Sequence, residues 1–145
     1  MAIFQVTMTT NLMDTVEVIP IRTVTDIVIA RQRGRGRALT MRFSETEATL
    51  IATIISELAR NIVLYAQNGE ILIGSLDNPA RRGISIVSRD DGPGIADVQR
   101  ALLGGYSTSG GLGLGLCGVR RMVDEFQLQS APGKGTTVAV KKWAR

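Results

Sequence analysis

The stretch from Ser44 to Ala66 constrains the fold of this chain more than any other. Ser44-Glu45-Thr46-Glu47 is a capping box, in which a serine and a glutamate three residues on satisfy backbone N–H groups that a helix start leaves free. Beyond it Ile51, Ile54, Ile55, Leu58, Ile62 and Tyr65 fall on one stripe at about 100° per residue, so a long helix with one apolar face must pack on a sheet. The flanking segments supply that sheet. Val16, Val18 and Pro20-Ile21 read as a first strand, confined to a sheet edge because proline cannot donate to a ladder. Glu70 to Leu76, Ile84 to Ser88, Gln127 to Ala131 and Thr136 to Lys142 read as further strands, with turns at Asn68-Gly69, Asp77 to Gly83 and Pro132 to Gly135. Thr25 or Asp26 is placed to cap a helix running to about Leu39, and a short helix is expected over Asp97 to Leu103. Val119, Met122, Val123 and Phe126 give Leu116 to Phe126 a helical spacing. The sum is an α+β fold, a two-layer sandwich of helices on a mixed, mainly antiparallel sheet.

At 145 residues, 44% of them hydrophobic, the chain is long enough for one domain with a sizeable core and too short for two. A single domain over 1–145 is therefore expected, with residues 1 to 13 a loose or strand-forming leader. Apolar runs break well short of the roughly 18 residues that span a bilayer, and no basic-then-apolar leader opens the chain, so the expectation is a cytoplasmic protein without a membrane partner. One cysteine, Cys117, and no histidine leave neither a disulfide framework nor a zinc site. The missing histidine also removes the commonest general base, so acid–base chemistry must use carboxylates. Net charge is a modest +4, but Arg31, Arg33, Arg35 and Arg37 form a local basic cluster, read as a solvated helix end. No aromatic residue lies among them to stack on a base, which argues against nucleic acid as a partner.

Glycine at every second position in Gly111-Leu112-Gly113-Leu114-Gly115-Leu116 exposes backbone N–H groups ahead of a helix N-terminus, a segment suited to binding phosphate. It is not a P-loop, since no Gly-Lys-Ser/Thr occurs. The Gly113-x-Gly115-x-x-Gly118 match to a dinucleotide fingerprint fails on context, because a Ser/Gly-rich loop precedes it. Glu57 and Asn61 lie four residues apart on the long helix, within about 40° of each other at the edge of the apolar stripe, where both can face a cleft between helix and sheet. Asp90-x-Gly92-x-Gly94 follows the Ile84 to Ser88 strand. A carboxylate at a strand end can accept an amino proton, while the glycines let backbone approach a ring plane.

Taken in order, Glu57/Asn61, Asp90-x-Gly92-x-Gly94 and Gly111-x-Gly113-x-Gly115 resemble the N box and two glycine boxes of the GHKL or Bergerat ATP-binding fold, shared by type II topoisomerases, Hsp90, histidine kinases and anti-sigma serine kinases. Ala30-Arg31-Gln32, Leu64-Tyr65-Ala66, Ser107-Thr108-Ser109-Gly110, Asp124-Glu125-Phe126 and Lys142-Trp143 are similar to the RsbT-like switch-kinase branch of the stressosome and anti-sigma regulators. The resemblance implies ATP and Mg²⁺ as cofactors and transfer of the γ-phosphate to a serine or threonine of a STAS-domain antagonist or scaffold protein of a stressosome. A PP2C-type phosphatase or other output protein would be bound after release. Position by position it implies Glu57 as general base, Asn61 as Mg²⁺ ligand, and Asp90 with Gly92 and Gly94 at adenine. Ser107 and Thr108, with backbone around Gly111, Leu112, Gly113, Leu114, Gly115 and Leu116, would hold the phosphates, and Arg31 would meet a partner. Leu114 stands where alanine is usual and Asp91 where a neutral residue is expected; neither is a motif position. A non-catalytic ATP-gated module, an anti-sigma factor or adaptor, is the alternative, and it would need Asn61 and Asp90 but no base at Glu57.

Overall fold

The structure is a computed structural model that describes residues 16–78, 80–96, 102 and 115–145. Strand β1 (Glu17–Ile21) leads into helix α1 (Val24–Thr40) and helix α2 (Glu45–Asn61), which runs directly into a π-helical turn over Ile62–Ala66. Strands β2 (Gly69–Asn78) and β3 (Arg81–Asp90) form a hairpin, and helix α3 (Gly115–Met122) precedes β4 (Glu125–Ser130) and β5 (Thr136–Trp143). The strands make one sheet in the order β1-β2-β3-β5-β4. Every neighbouring pair is antiparallel, in line with the mainly antiparallel sheet expected.

The core lies between the helices and one sheet face. Ile21, Ile71, Ile73, Ile84, Ile86 and Val140 from the strands meet Ile51, Ile54, Ile55, Leu58 and Ile62 from the long helix, all fully buried. Each such side chain contributes about 1.5–3 kcal/mol as an upper figure. The capping box forms as read: the Ser44 Oγ accepts the Glu47 N–H at 3.1 Å, and Glu47 Oε1 accepts the Ser44 N–H at the same distance. Together α2 and the π-turn have the length and hydropathy of a membrane span, yet the apolar stripe of this helix is turned onto the sheet.

Helix α1 is capped earlier than expected, by Thr23. Asp26 sits at the third helical position, its carboxylate accepting the N–H groups of Arg22 at 2.8 Å and Thr23 at 3.0 Å, which holds its carboxyl below the usual range. The arginine cluster occupies the C-terminal half of this helix, with Arg37 in its last turn. The helical period splits it: Arg33 pairs with Glu17 of β1 at 2.8 Å and Arg37 donates to Ser75 of β2 at 3.1 Å, while Arg31 and Arg35 face outward. Gly34, between them, is buried where a Cβ would meet Ile55 and Ile73, so its lack of a side chain sets the approach of α1 to α2.

The turn expected over Asp77 to Gly83 is paired strand instead, Leu76 facing Gly83 and Asn78 facing Arg81 in register. Chain reversal is confined to the hairpin end, where the Asn78 side chain accepts the Ala80 N–H at 2.8 Å. Helix α3 stops at Met122, and Phe126, read as helical, lies on β4. Phe126 still packs on the core, so its helical spacing from Val119 and Met122 marks a shared destination and not a shared helix. Tyr65 leaves the stripe and is 46% exposed, because the wider π-turn rotates residues past Asn61 away from the α-helical register. The expected leader at 1 to 13 lies outside the described residues, as does the expected helix at 97 to 103 apart from Leu102.

Candidate functional site

Strand register assembles the centre of the site. Ile21, Gly69, Asp90, Thr136 and Ser130 are direct partners in one row across β1, β2, β3, β5 and β4. By the alternation of strand side chains, Asp90, Thr136 and Ser130 share the helix-facing side with Ile86 and Val140. Gly69 carries no side chain because the space is taken by its neighbours: a Cβ there would stand 2.9 Å from Asp90 Cβ and 3.1 Å from Ile62 Cγ2.

Asp90 is half-buried. Burial pushes its carboxyl above the usual carboxylate range against the pull of two backbone N–H groups, from Gly92 and Thr136, and the neighbouring Asp91 charge adds to the rise. The Gly92 N–H reaches Oδ1 at 2.9 Å. Two oxygens offer about four lone pairs, so these contacts leave acceptor capacity for a ligand.

The loop that carries Asp90 is gripped from both sides. A Cβ on Gly92 would stand 2.6 Å from Ala66 Cβ, placing the loop directly on the π-turn that follows Asn61. Gly94, at φ 80°, sits in the left-handed region and against the Ala131 carbonyl, where a side chain would collide. The Pro93 carbonyl accepts the Gly133 N–H at 2.7 Å, and Ser130 Oγ accepts the Ile95 N–H at 2.8 Å. Gly92 and Gly94, read from sequence as openings for a ligand ring, are thus used for packing the loop against the π-turn and the β4–β5 hairpin.

Glu57 is buried, 8% exposed, on the last α-helical turn before Asn61. Its one ion-pair partner among the described residues is Arg60, at 4.0 Å, whose side chain is 45% exposed. Asn61 is half-buried at the junction of α2 with the π-turn. The π-turn that follows Asn61 packs on the Asp90 loop through Ala66 and on Gly69 through Ile62, and Glu57 lies one turn before Asn61 on α2. Arg31 is exposed on α1 and makes no ion pair among the described residues. Ser107, Thr108 and Gly111 to Leu114 lie outside the described residues. Gly115 opens α3 with no described residue within 4 Å of where a Cβ would stand, and the Leu116 side chain enters the core, leaving only its backbone for a ligand. Thr136 and Ser130 were missed in the sequence. Thr136 was legible in principle, as it opens the last strand on the face of Val138 and Val140; Ser130 depends on the pairing of β4 with β5.

A family model described as histidine kinase-, DNA gyrase B-, and HSP90-like ATPase matches residues 46–144, and the chain belongs to that family. It is 48% identical over 125 residues to the serine/threonine-protein kinase RsbT of Bacillus subtilis (strain 168), covering 86% of this chain and 94% of that relative. It is also 33% identical over 101 residues to an anti-sigma F factor of Caldanaerobacter subterraneus subsp. tengcongensis, covering 64% of this chain and 68% of the relative. To an anti-sigma F factor of Geobacillus stearothermophilus it is 32% identical over 101 residues, 66% of this chain and 69% of the relative.

Proposed function

We propose that this protein is an ATP-dependent protein serine/threonine kinase acting on a STAS-domain partner in a partner-switching pathway. The observation that carries the reading is the buried Glu57 carboxylate one helical turn behind Asn61, on a helix whose π-turn rests against the Asp90 loop. The donor set fits an adenine nucleotide with Mg²⁺: a carboxylate with spare lone pairs at Asp90, and an amide oxygen at Asn61 suited to a hard cation. ATP with Mg²⁺ supplies the transferable phosphoryl group and its charge neutralisation.

The protein's own residues have separable tasks in this reading. Asp90 accepts the base amino proton and orients the nucleotide. Asn61 holds the cation through its amide oxygen. Glu57, largely shielded from water, would take the proton from the acceptor hydroxyl as that oxygen bonds to the γ-phosphorus and the bond to the β-phosphate oxygen breaks, releasing ADP. Backbone from Gly111 to Leu116, with Ser107 and Thr108, receives the phosphates. Arg31 faces a protein partner, with a PP2C-type phosphatase or another output protein taken up after the antagonist is phosphorylated. This allocation is catalysis by positioning and charge stabilisation.

The relatives named as anti-sigma factors favour a second reading, an ATP-gated module that holds a partner without modifying it. Labelled ATP, Mg²⁺ and a STAS-domain protein separate the two. The kinase reading expects labelled serine or threonine on the partner with the wild type. Glu57→Ala is expected to lose transfer while keeping ATP affinity within a few fold. Undiminished transfer by that variant would remove Glu57 as the base, and wild-type ATP binding without transfer would favour the module.

A further inference from the structure

The π-turn has two faces. Ile62 is buried in the core, Val63 packs against it, and Ala66 meets the Asp90 loop at Gly92. Leu64 and Tyr65 point the other way, Leu64 49% exposed and Tyr65 nearly as much. The base opens toward that outer side. Glu57 is buried, yet its Oε1 lies 4.0 Å from Nη1 of the exposed Arg60, so its carboxylate end is directed to the surface that Arg60 occupies. Leu64 stands one turn beyond Arg60 along the same helical path. From the base outward the order is therefore Glu57, Arg60, Leu64, with Tyr65 beside the last.

We infer that Leu64 and Tyr65, with Arg60 at their edge, form the docking platform for the acceptor protein: an apolar patch of that protein seats on the pair, one of its carboxylates faces Arg60, and its hydroxyl is delivered over Glu57. This rests on the kinase reading above and adds to it residues that touch neither nucleotide nor reacting atoms. Charge and place select the occupant. At 4.0 Å and in contact with water the Arg60–Glu57 pair is weak, and the guanidinium keeps N–H donors for a second carboxylate. A second copy of this chain seated here would bring another Arg60 into the same patch, adding like charge. An acceptor hydroxyl that reaches a buried carboxylate, by contrast, must arrive with protein surface laid over the exposed groups around it.

Transfer from labelled ATP with Mg²⁺ to a STAS-domain protein, measured over a range of acceptor concentrations at saturating ATP, tests the platform. Leu64→Asp is expected to raise the acceptor KM roughly tenfold, the size of burying about half a leucine and losing it, while ATP affinity by calorimetry stays within a few fold. Leu64→Ala is expected to give a smaller rise in the same direction, which keeps the comparison available should the aspartate variant not fold. Arg60→Gln is expected to raise KM and flatten its dependence on salt, and Arg60→Lys to restore both. Residues that only support the turn would instead alter ATP affinity and leave the acceptor KM alone. A wild-type acceptor KM in both Leu64 variants overturns the inference. A wild-type dimer in sedimentation that Leu64→Asp splits into monomers assigns the patch to a second copy and also overturns it. Wild-type protein that transfers no phosphate overturns the kinase reading, a distinct result. Calorimetric binding of the same STAS-domain protein in the presence of ATP then decides the platform: affinity lowered roughly tenfold in Leu64→Asp keeps it as the partner's seat, and unchanged or absent binding removes it.

Discussion

Asp90 shows what a half-buried carboxylate costs the protein that carries it. Its carboxyl is half-buried and shifted upward by burial, so the ionised form that accepts hydrogen bonds is the form the fold disfavours. A carboxyl raised in the folded state contributes stability below its unfolded value of 3.8, and that contribution is lost as pH rises through the folded value. Asp90→Asn, which cannot ionise, is therefore expected to match or exceed the wild type in urea midpoint near neutral pH, the advantage shrinking on acidification. The same variant is expected to weaken ATP binding by about 1.5–3 kcal/mol, because an amide that can present a donor replaces an acceptor. Calorimetry and urea melts on one preparation read both effects, and a variant that loses stability without losing affinity contradicts them. Ser85 on β3 gives a simpler case. It is 1% exposed and its hydroxyl has no hydrogen-bond partner among the described residues, so its desolvation is uncompensated there. Ser85→Ala is expected to raise stability by about 1 kcal/mol with nucleotide affinity unchanged. A loss of stability would mean that the hydroxyl is paired in solution.

The π-turn at Ile62–Ala66 is the element that joins helix to loop, and it ends under strain. Gln67 sits at φ 71°, in the left-handed region, while its N–H bonds back to the Ile62 carbonyl at 2.7 Å and closes the turn. Glycine adopts that conformation without a Cβ penalty, so Gln67→Gly is expected to stabilise the protein by about 0.5–1 kcal/mol. A lower urea midpoint would show that the Gln67 side chain contributes more than its backbone costs. The turn also marks where sequence legibility ended. Helix α2 was readable because the Ser44–Glu47 box and the Ile51 to Ile62 stripe are local signals, and β1 was placed at the edge by Pro20 alone. The π-turn has no such signal, since Tyr65 continues the α-helical spacing and only contact with Gly92 shows where the helix widens. Likewise Asp77, Asn78 and Arg81 read as turn by composition but are held in β2 and β3 by cross-strand pairing. Glu57, Asn61 and Asp90 could be picked out because their spacing is local. The Asp90–Thr136–Ser130 row could not, because it exists only once three strands are in register.

Across the molecule, α2 is held at both ends, and the two anchors respond to different changes. Its C-terminal continuation rests on the Asp90 loop. At its N-terminus Glu47 ties the cap to the end of the chain, Oε1 accepting the Ser44 N–H at 3.1 Å and Oε2 the Arg145 N–H at 3.0 Å. Burial opposes ionisation of Glu47, but those N–H groups, the Ser44 hydroxyl and the charge of Lys142 prevail and hold its carboxyl low. A carboxyl lowered in the folded state stabilises above its unfolded value, 4.5, and the contribution is lost as pH falls through the folded value. Asp26 acts in the same direction at the start of α1, and Asp90 in the opposite one. Glu47→Gln is therefore expected to lower stability near neutral pH by about 1 kcal/mol, the usual worth of a cap, and to flatten the loss on acidification. Urea midpoints across the acid range measure both, and a variant with the wild-type midpoint at neutral pH would show that the tie to Arg145 contributes nothing. ATP affinity is expected to stay within a few fold, because the anchor beside Asn61 is untouched. A large loss of affinity in Glu47→Gln would mean instead that the two ends of α2 are coupled, and that nucleotide binding is felt at the C-terminus of the chain.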